Sequence, residues 1–231
     1  MIKTIIGIFL VVAMSTFEVP EVKVSGALKN IMKNGDLSAH VNIDTLNKTH
    51  LFGLGPVAGL KGEIMILDGK VYSTAMREKQ LLNQQNKISL AAMLVYSHIE
   101  KWKQVSSKIE IRNYAELEKL IETTAVANGY DPETPFAFKI ETTPQKATYH
   151  VIDWKDGAAH TMDNHKQFAY SGQLKNSPSV LMGFYSKHHQ SIYTHHTSFM
   201  HIHLLEEKTK TVGHLDDIQL NNRITIYFPE K

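Results

Sequence analysis

Glu63-Ile64-Met65-Ile66-Leu67-Asp68-Gly69-Lys70-Val71-Tyr72-Ser73-Thr74 decides how the rest of the chain is read. Two runs rich in β-formers flank Asp68-Gly69, a dipeptide suited to a tight turn whose two central residues need φ > 0. The stretch predicts an antiparallel hairpin. Upstream, Leu51 to Gly59 reads as a glycine-punctuated loop that feeds the hairpin. Before it, Gly26 to Met32 reads as a short helix, with Ala27, Leu28, Ile31 and Met32 on one face and a stop near Gly35. Downstream, residues 88–112 fit two periods: Leu90, Met93 and Leu94 suit a helix, whereas Met93, Val95, Ser97 and Ile99 alternate. Alternation resumes at Ile109 and Ile111, and strands are the preferred reading. A helix is expected from Asn113 to Asn128, with Asn113 as cap, Glu116 at the capping-box position, a Leu117, Leu120, Ile121 stripe and Gly129 beyond its end. After a loop at residues 131–135 the chain reads as strands over 136–141, 147–154, 179–186, 198–205, 213–219 and 223–228. The pattern is mixed α/β or α+β, with antiparallel strands predominating.

The chain's 231 residues suffice for one large domain or two closely packed halves. Apolar residues make up 42% and charged residues 21%, as in ordinary globular proteins. A net charge of +2, with Lys and Arg scattered among Asp and Glu, argues against a nucleic-acid partner. Without cysteine there is no disulfide and no thiolate metal site. The first residues stand apart. Lys3, the apolar run Ile5 to Met14 and the small residues Ser15 and Thr16 have the order of a secretory signal peptide over 1–16. The run falls short of the roughly 20 residues that a membrane span needs. Residues 17–231 are then the folded domain of an exported protein, periplasmic or extracellular, with no membrane contact after processing. The alternative is a buried first strand.

Thirteen histidines are present, and His188, His189, His195, His196, His201, His203 and His214 crowd one region. Alternate residues of a strand share a face, about 7 Å apart at the backbone, so His201 and His203 aim at one point. The polar stretch Glu206 to Lys210 suits a turn, and the returning strand carries Gly213-His214, which sets a third imidazole opposite the pair. Three neutral imidazoles with an open position have the donor set of a catalytic metal site. Against this stands a solvated strand face that merely alternates histidine with apolar residues. His188, His189, His195 and His196 lie in a polar segment and read as loop residues, with His195 or His196 able to line a pocket.

These residues, taken together, resemble the acetolactate decarboxylase family. Gly53-Leu54-Gly55, Leu60-Lys61-Gly62-Glu63, Leu67-Asp68-Gly69 and Tyr72 are similar to its first half. Gly183-Phe184, His201 and His203, Gly213-His214 and Asp217 are similar to its metal half. The short helix from Ala27 to Gly35 is similar to the family's leading helix, so the likeness runs from about residue 25 to 228.

The resemblance implies two packed, mixed or antiparallel β-sheets with few helices, and a zinc-dependent conversion of 2-acetolactate to acetoin and carbon dioxide. It implies Zn2+ on His201, His203 and His214. Loss of carbon dioxide leaves an enediolate, whose charge a divalent cation stabilises, and Glu63 is the matching glutamate that handles the proton. The family's arginine is matched by Lys139, which keeps the charge without the planar fork. A second acidic residue near the metal belongs to the family's C-terminal tail, a part for which Glu230 could substitute here. Read without the family, Glu63 is an exposed strand-edge carboxylate and Lys139 a solvated strand-edge lysine. The expected partner is a small 2-hydroxy-3-keto acid, with a second copy of the chain also open. Two other readings stand beside the lyase: a related zinc-dependent hydrolase, and a non-catalytic exported protein that binds a metal or small ligand.

Overall fold

In the computed structural model the hairpin closes as the sequence predicts. Leu67 pairs with Lys70, and Asp68 (φ 48°) and Gly69 (φ 75°) take the left-handed angles of the turn. The structure describes residues 18–108, 110–159, 161–221 and 223–230. The expected signal peptide lies outside them.

In chain order the strands are β1 Lys23–Ser25, β2 Val41–Asn42, β3 Leu51–Pro56, β4 Glu63–Leu67, β5 Lys70–Arg77, β6 Gln80–Gln85, β7 Leu90–Ala91 and β8 Leu94–His98. They continue as β9 Trp102–Lys108, β10 Phe136–Thr142, β11 Lys146–Ile152, β12 Ala169–Leu174, β13 Ser179–Tyr185, β14 Met200–Glu206, β15 Val212–Gln219 and β16 Arg223–Pro229. The helices are α1 Leu28–Asn34, α2 Tyr114–Ala127 and α3 Met162–Gln167. One sheet has six strands in the order β1-β8-β3-β4-β5-β6, and the other has eight, β12-β11-β15-β14-β13-β10-β16-β9. Their pairings are antiparallel, and β2 pairs with β7 apart from both.

Alternation along β14 and β13 decides what lies between the sheets. Leu205, Met182 and Phe184 point inward and pack against Leu54, Met65 and Val95 of the six-stranded sheet. Met200, Ile202 and Leu204 point outward, where α2 covers them with Leu117, Ile121 and Ala125. Asn113 caps α2 by accepting the Glu116 amide at 2.9 Å, while Glu116 reaches back to the Arg112 amide, one residue before the cap. Asp217 of β15 accepts the Tyr114 amide at 2.8 Å and ties the helix start to the sheet.

Three expectations need correcting. Residues 51–59 are not a loop, because the first six form strand β3, buried throughout. Gly55 is required there by contact: a Cβ would lie 2.0 Å from the Met93 carbonyl oxygen of the segment that leads into β8, so glycine marks close backbone packing. Strand β5 continues past Thr74 to Arg77 and turns into β6 through Glu78 (φ 51°) and Lys79 (φ 64°), residues that carry no turn signal. Finally, α3 and β12 occupy a stretch to which the sequence pattern gave no element.

Gly55→Ala should therefore destabilise the fold by about 1–3 kcal/mol, the usual cost of forcing a methyl group into a packed interior. Chemical denaturation checks this, and an unchanged midpoint would show that β3 and β8 can separate freely.

Candidate metal centre

Strand register builds the site. His203 faces His214 across β14 and β15, and His214 faces His150 across β15 and β11. With His201 two residues before His203, the ligand-capable atoms of His201, His203 and His214 all lie within 4.8 Å of one another. His201 Nε2 is 3.1 Å from His214 Nδ1. His203 Nδ1 donates to the Ile64 carbonyl of β4, 2.8 Å away in the opposite sheet. That bond fixes the tautomer and leaves Nε2 with a bare lone pair. This Nε2 is buried with no hydrogen-bond partner among the described residues, and Glu63 Oε2 stands 3.5 Å from it.

Burial holds all three imidazoles well below the usual histidine pKa, and repulsion from neighbouring imidazoles adds to it. They are neutral bases at neutral pH. Neutral, desolvated nitrogens converging on one point suit a divalent cation, and an unpartnered buried nitrogen is a costly thing to keep otherwise. The donor set fits a metal.

Glu63 is not the exposed edge carboxylate of the alternative reading. It is 3% exposed, on a central strand, and its Oε1 accepts the Ile152 amide of β11 at 3.3 Å. Burial pushes its carboxyl up to about 8, against the opposing pull of His150 and of the Ile152 amide.

His201, His214 and Glu63, with His203 buried behind them, line a cavity of about 820 Å³. His195 and His196 line it, as the sequence allowed for one of them, and so do His150 and Asp216. Neither His150 nor Asp216 was singled out from the sequence. His150 Nδ1 lies 2.7 Å from Asp216 Oδ1, and its ring packs on His214 with centroids 4.7 Å apart. Burial pulls His150 down, but the hydrogen bond and charge of Asp216, with Glu63, outweigh it and hold the imidazole above its ordinary value. Its inward parity on β11 was readable. The placement of Asp216 was not, because it depends on a bulge: Tyr149 faces Leu215 and Thr148 faces Asp217, which skips Asp216.

Lys139 is not brought to this cavity. It shares a row with Met182 and His203, but β13 lies between its strand and β14, which carries His203. Its ammonium sits 2.8 Å from Glu141 Oε1 and 4.1 Å from the centre of the Tyr227 ring. Glu230 is exposed at the end of β16, its amide bonded to the Lys101 carbonyl, and does not line the cavity.

The family model for alpha-acetolactate decarboxylase matches residues 25–230. The chain belongs to that family. Among solved structures, alpha-acetolactate decarboxylase from Bacillus subtilis strain 168 superposes with a TM-score of 0.75 at 16% identity, covering 91% of this chain and 85% of that one. A Staphylococcus aureus protein described as of unknown function and similar to alpha-acetolactate decarboxylase gives 0.72 at 15% identity, covering 91% and 86%. At such identities the acetolactate decarboxylase likeness speaks for the fold, two antiparallel sheets with three α-helices among the described residues. No curated protein sequence matches the chain.

Added Zn2+, used as the probe ion, should stabilise the protein by about 2.7 kcal/mol at a free concentration one hundred times its Kd, read as a rise in Tm. His201→Ala, His203→Ala and His214→Ala should each lose most of the bound ion. Elemental analysis that finds full occupancy in all three variants would reject the triad.

Proposed function

We propose that this chain is a metal-dependent carboxy-lyase that converts 2-acetolactate, or a close analogue, to acetoin and carbon dioxide, with Zn2+ on His201, His203 and His214. The observation that carries the reading is the bare Nε2 of His203, buried beside the other two imidazoles and 3.5 Å from Glu63. Family membership supplies the reaction class.

A divalent ion held by this triad would act as a Lewis acid toward the substrate's carbonyl and hydroxyl oxygens. Glu63 handles the proton. Burial raises its carboxyl to about 8, which favours holding a proton, and the Ile152 amide fixes one of its oxygens. It can deliver that proton to the carbon from which carbon dioxide has left. His150, anchored by Asp216, takes the place expected of Lys139: it lines the cavity together with Glu63 and can hold the substrate's carboxylate. The pocket thus accepts a small 2-hydroxy-3-keto acid.

Acetoin and carbon dioxide released from racemic acetolactate by the metal-loaded protein test the reading. Glu63→Gln should keep the metal and lose roughly 10²–10⁴-fold in turnover. His150→Ala should lower turnover strongly, whereas Lys139→Ala should stay within about twofold, since Lys139 is held elsewhere. No turnover at full metal loading would reject the substrate. A silent Glu63→Gln would move the proton chemistry to another group.

We also propose that residues 1–16 direct export. Among the described residues no helix is long and apolar enough to cross a membrane. N-terminal sequencing of the native protein should begin at or a few residues beyond Thr16; an intact Met1 would refute the signal peptide.

A further inference from the structure

The cavity is lined both by the polar groups of the strands and by an apolar stripe, and the proposed chemistry uses only the polar groups. The stripe belongs to α1. Leu28, Ile31 and Met32 follow the i, i+3, i+4 spacing of one helix face, and all three line the cavity. Ile31 is buried, while Leu28 and Met32 are half-buried, so part of their apolar surface remains uncovered in the cavity. Pro56, Leu60 and Ile152 supply apolar lining from the two sheets. The helix is held over the site by its own start: the Leu28 and Lys29 amides donate to the carbonyls of Ile192 and Ser191, each at 2.8 Å. Exposed Lys29 and Lys33 line the same opening and favour an anionic ligand.

Acetolactate bears only methyl substituents. Cavities of about 300–1,000 Å³ accommodate drug-sized ligands, and this one measures about 820 Å³. A methyl group leaves most of the α1 stripe facing water, which a hydrocarbon chain would displace at a gain for each methylene.

We propose that the stripe of Leu28, Ile31 and Met32 is a subsite for an alkyl chain, so that the substrate is a 2-hydroxy-3-oxo acid with a substituent several methylenes long. This deepens the lyase reading and rests on it for the reacting end of the molecule. The chain itself is tested by binding, without turnover. Straight-chain 2-hydroxy acids, from 2-hydroxypropanoate to 2-hydroxyoctanoate, are titrated into the zinc-loaded protein by calorimetry. Affinity should rise roughly threefold to fourfold per methylene over the first few members. Leu28→Ser and Met32→Ser should each flatten that rise while leaving the shortest acid little changed. Circular dichroism and bound zinc confirm that the variants are folded and loaded. A flat wild-type series, no binding of any member, or a slope unchanged in both variants overturns the subsite. Acetoin release is scored separately. A protein that shows the slope but releases no acetoin supports the subsite and refutes the reaction on acetolactate; one that releases acetoin with a flat series does the reverse.

Discussion

The hydrogen bond from His203 Nδ1 to the Ile64 carbonyl is the contact on which the site depends. It crosses from one sheet to the other, so it sets the tautomer of the ring and the distance between the layers at once. Other polar ties run the same way. The Ile152 amide meets Glu63, and the Val212 amide meets the Thr74 hydroxyl at 2.7 Å. Elsewhere the space between the sheets is filled by apolar side chains that pack by shape and volume, without direction. Directional bonds are what turn that interface into a site of defined geometry. The arrangement leaves a buried lone pair at Nε2, a group worth about 1–3 kcal/mol of destabilisation when it has no partner. A bound cation removes that cost, so metal binding and the docking of the two sheets are coupled.

What could be read from the sequence follows the reach of local rules. The Asp68-Gly69 turn, the Asn113 cap and the alternation of His201, Ile202 and His203 are each set within a few residues, and each holds in the structure. Parity assigns the face of a side chain correctly, and it put His201 and His203 inward. It says nothing about lateral distance. Lys139 shares its row with His203, yet β13 lies between β10 and β14, and each step across a sheet is about 4.8 Å. Its ammonium then settles on Glu141 and the Tyr227 ring, which are nearer. A motif alignment has no term for that separation.

The same limit explains the residues that went unread. Strict alternation from His214 would place both Asp216 and Ile218 inward. One extra residue in β15 lets Asp216 meet His150 while Ile218 joins Leu215 in the outer core. A bulge of this kind depends on the partner strand and leaves no trace in composition. Glycine misled in the other direction. Gly53 and Gly55 look like loop punctuation, but they answer to the backbone of residues 93–96 pressed against them. Gly213 is similar: a Cβ there would strike the Tyr149 ring at 2.2 Å, so the residue before His214 is small to make room for an aromatic side chain packed on the outer face.

The division between the strand-borne polar groups and the α1 stripe has a physical basis. The imidazoles, Glu63 and His150 stand on strands whose neighbours on both sides fix them through backbone pairing, which resists displacement of any one side chain. Proton transfer and metal binding tolerate little movement, since each depends on distances near 3 Å. The α1 helix is only seven residues long, begins without a side-chain cap and rests on two amide bonds to a loop. Isolated helices of that length are marginal, so its position is set by the apolar side chains beneath it and by whatever fills the cavity. Changes in those side chains alter what the cavity holds without disturbing the strands that carry the histidines and Glu63. A fold built this way can keep its polar constellation while the ligand it admits drifts, and the residues of α1 are where such drift would be written.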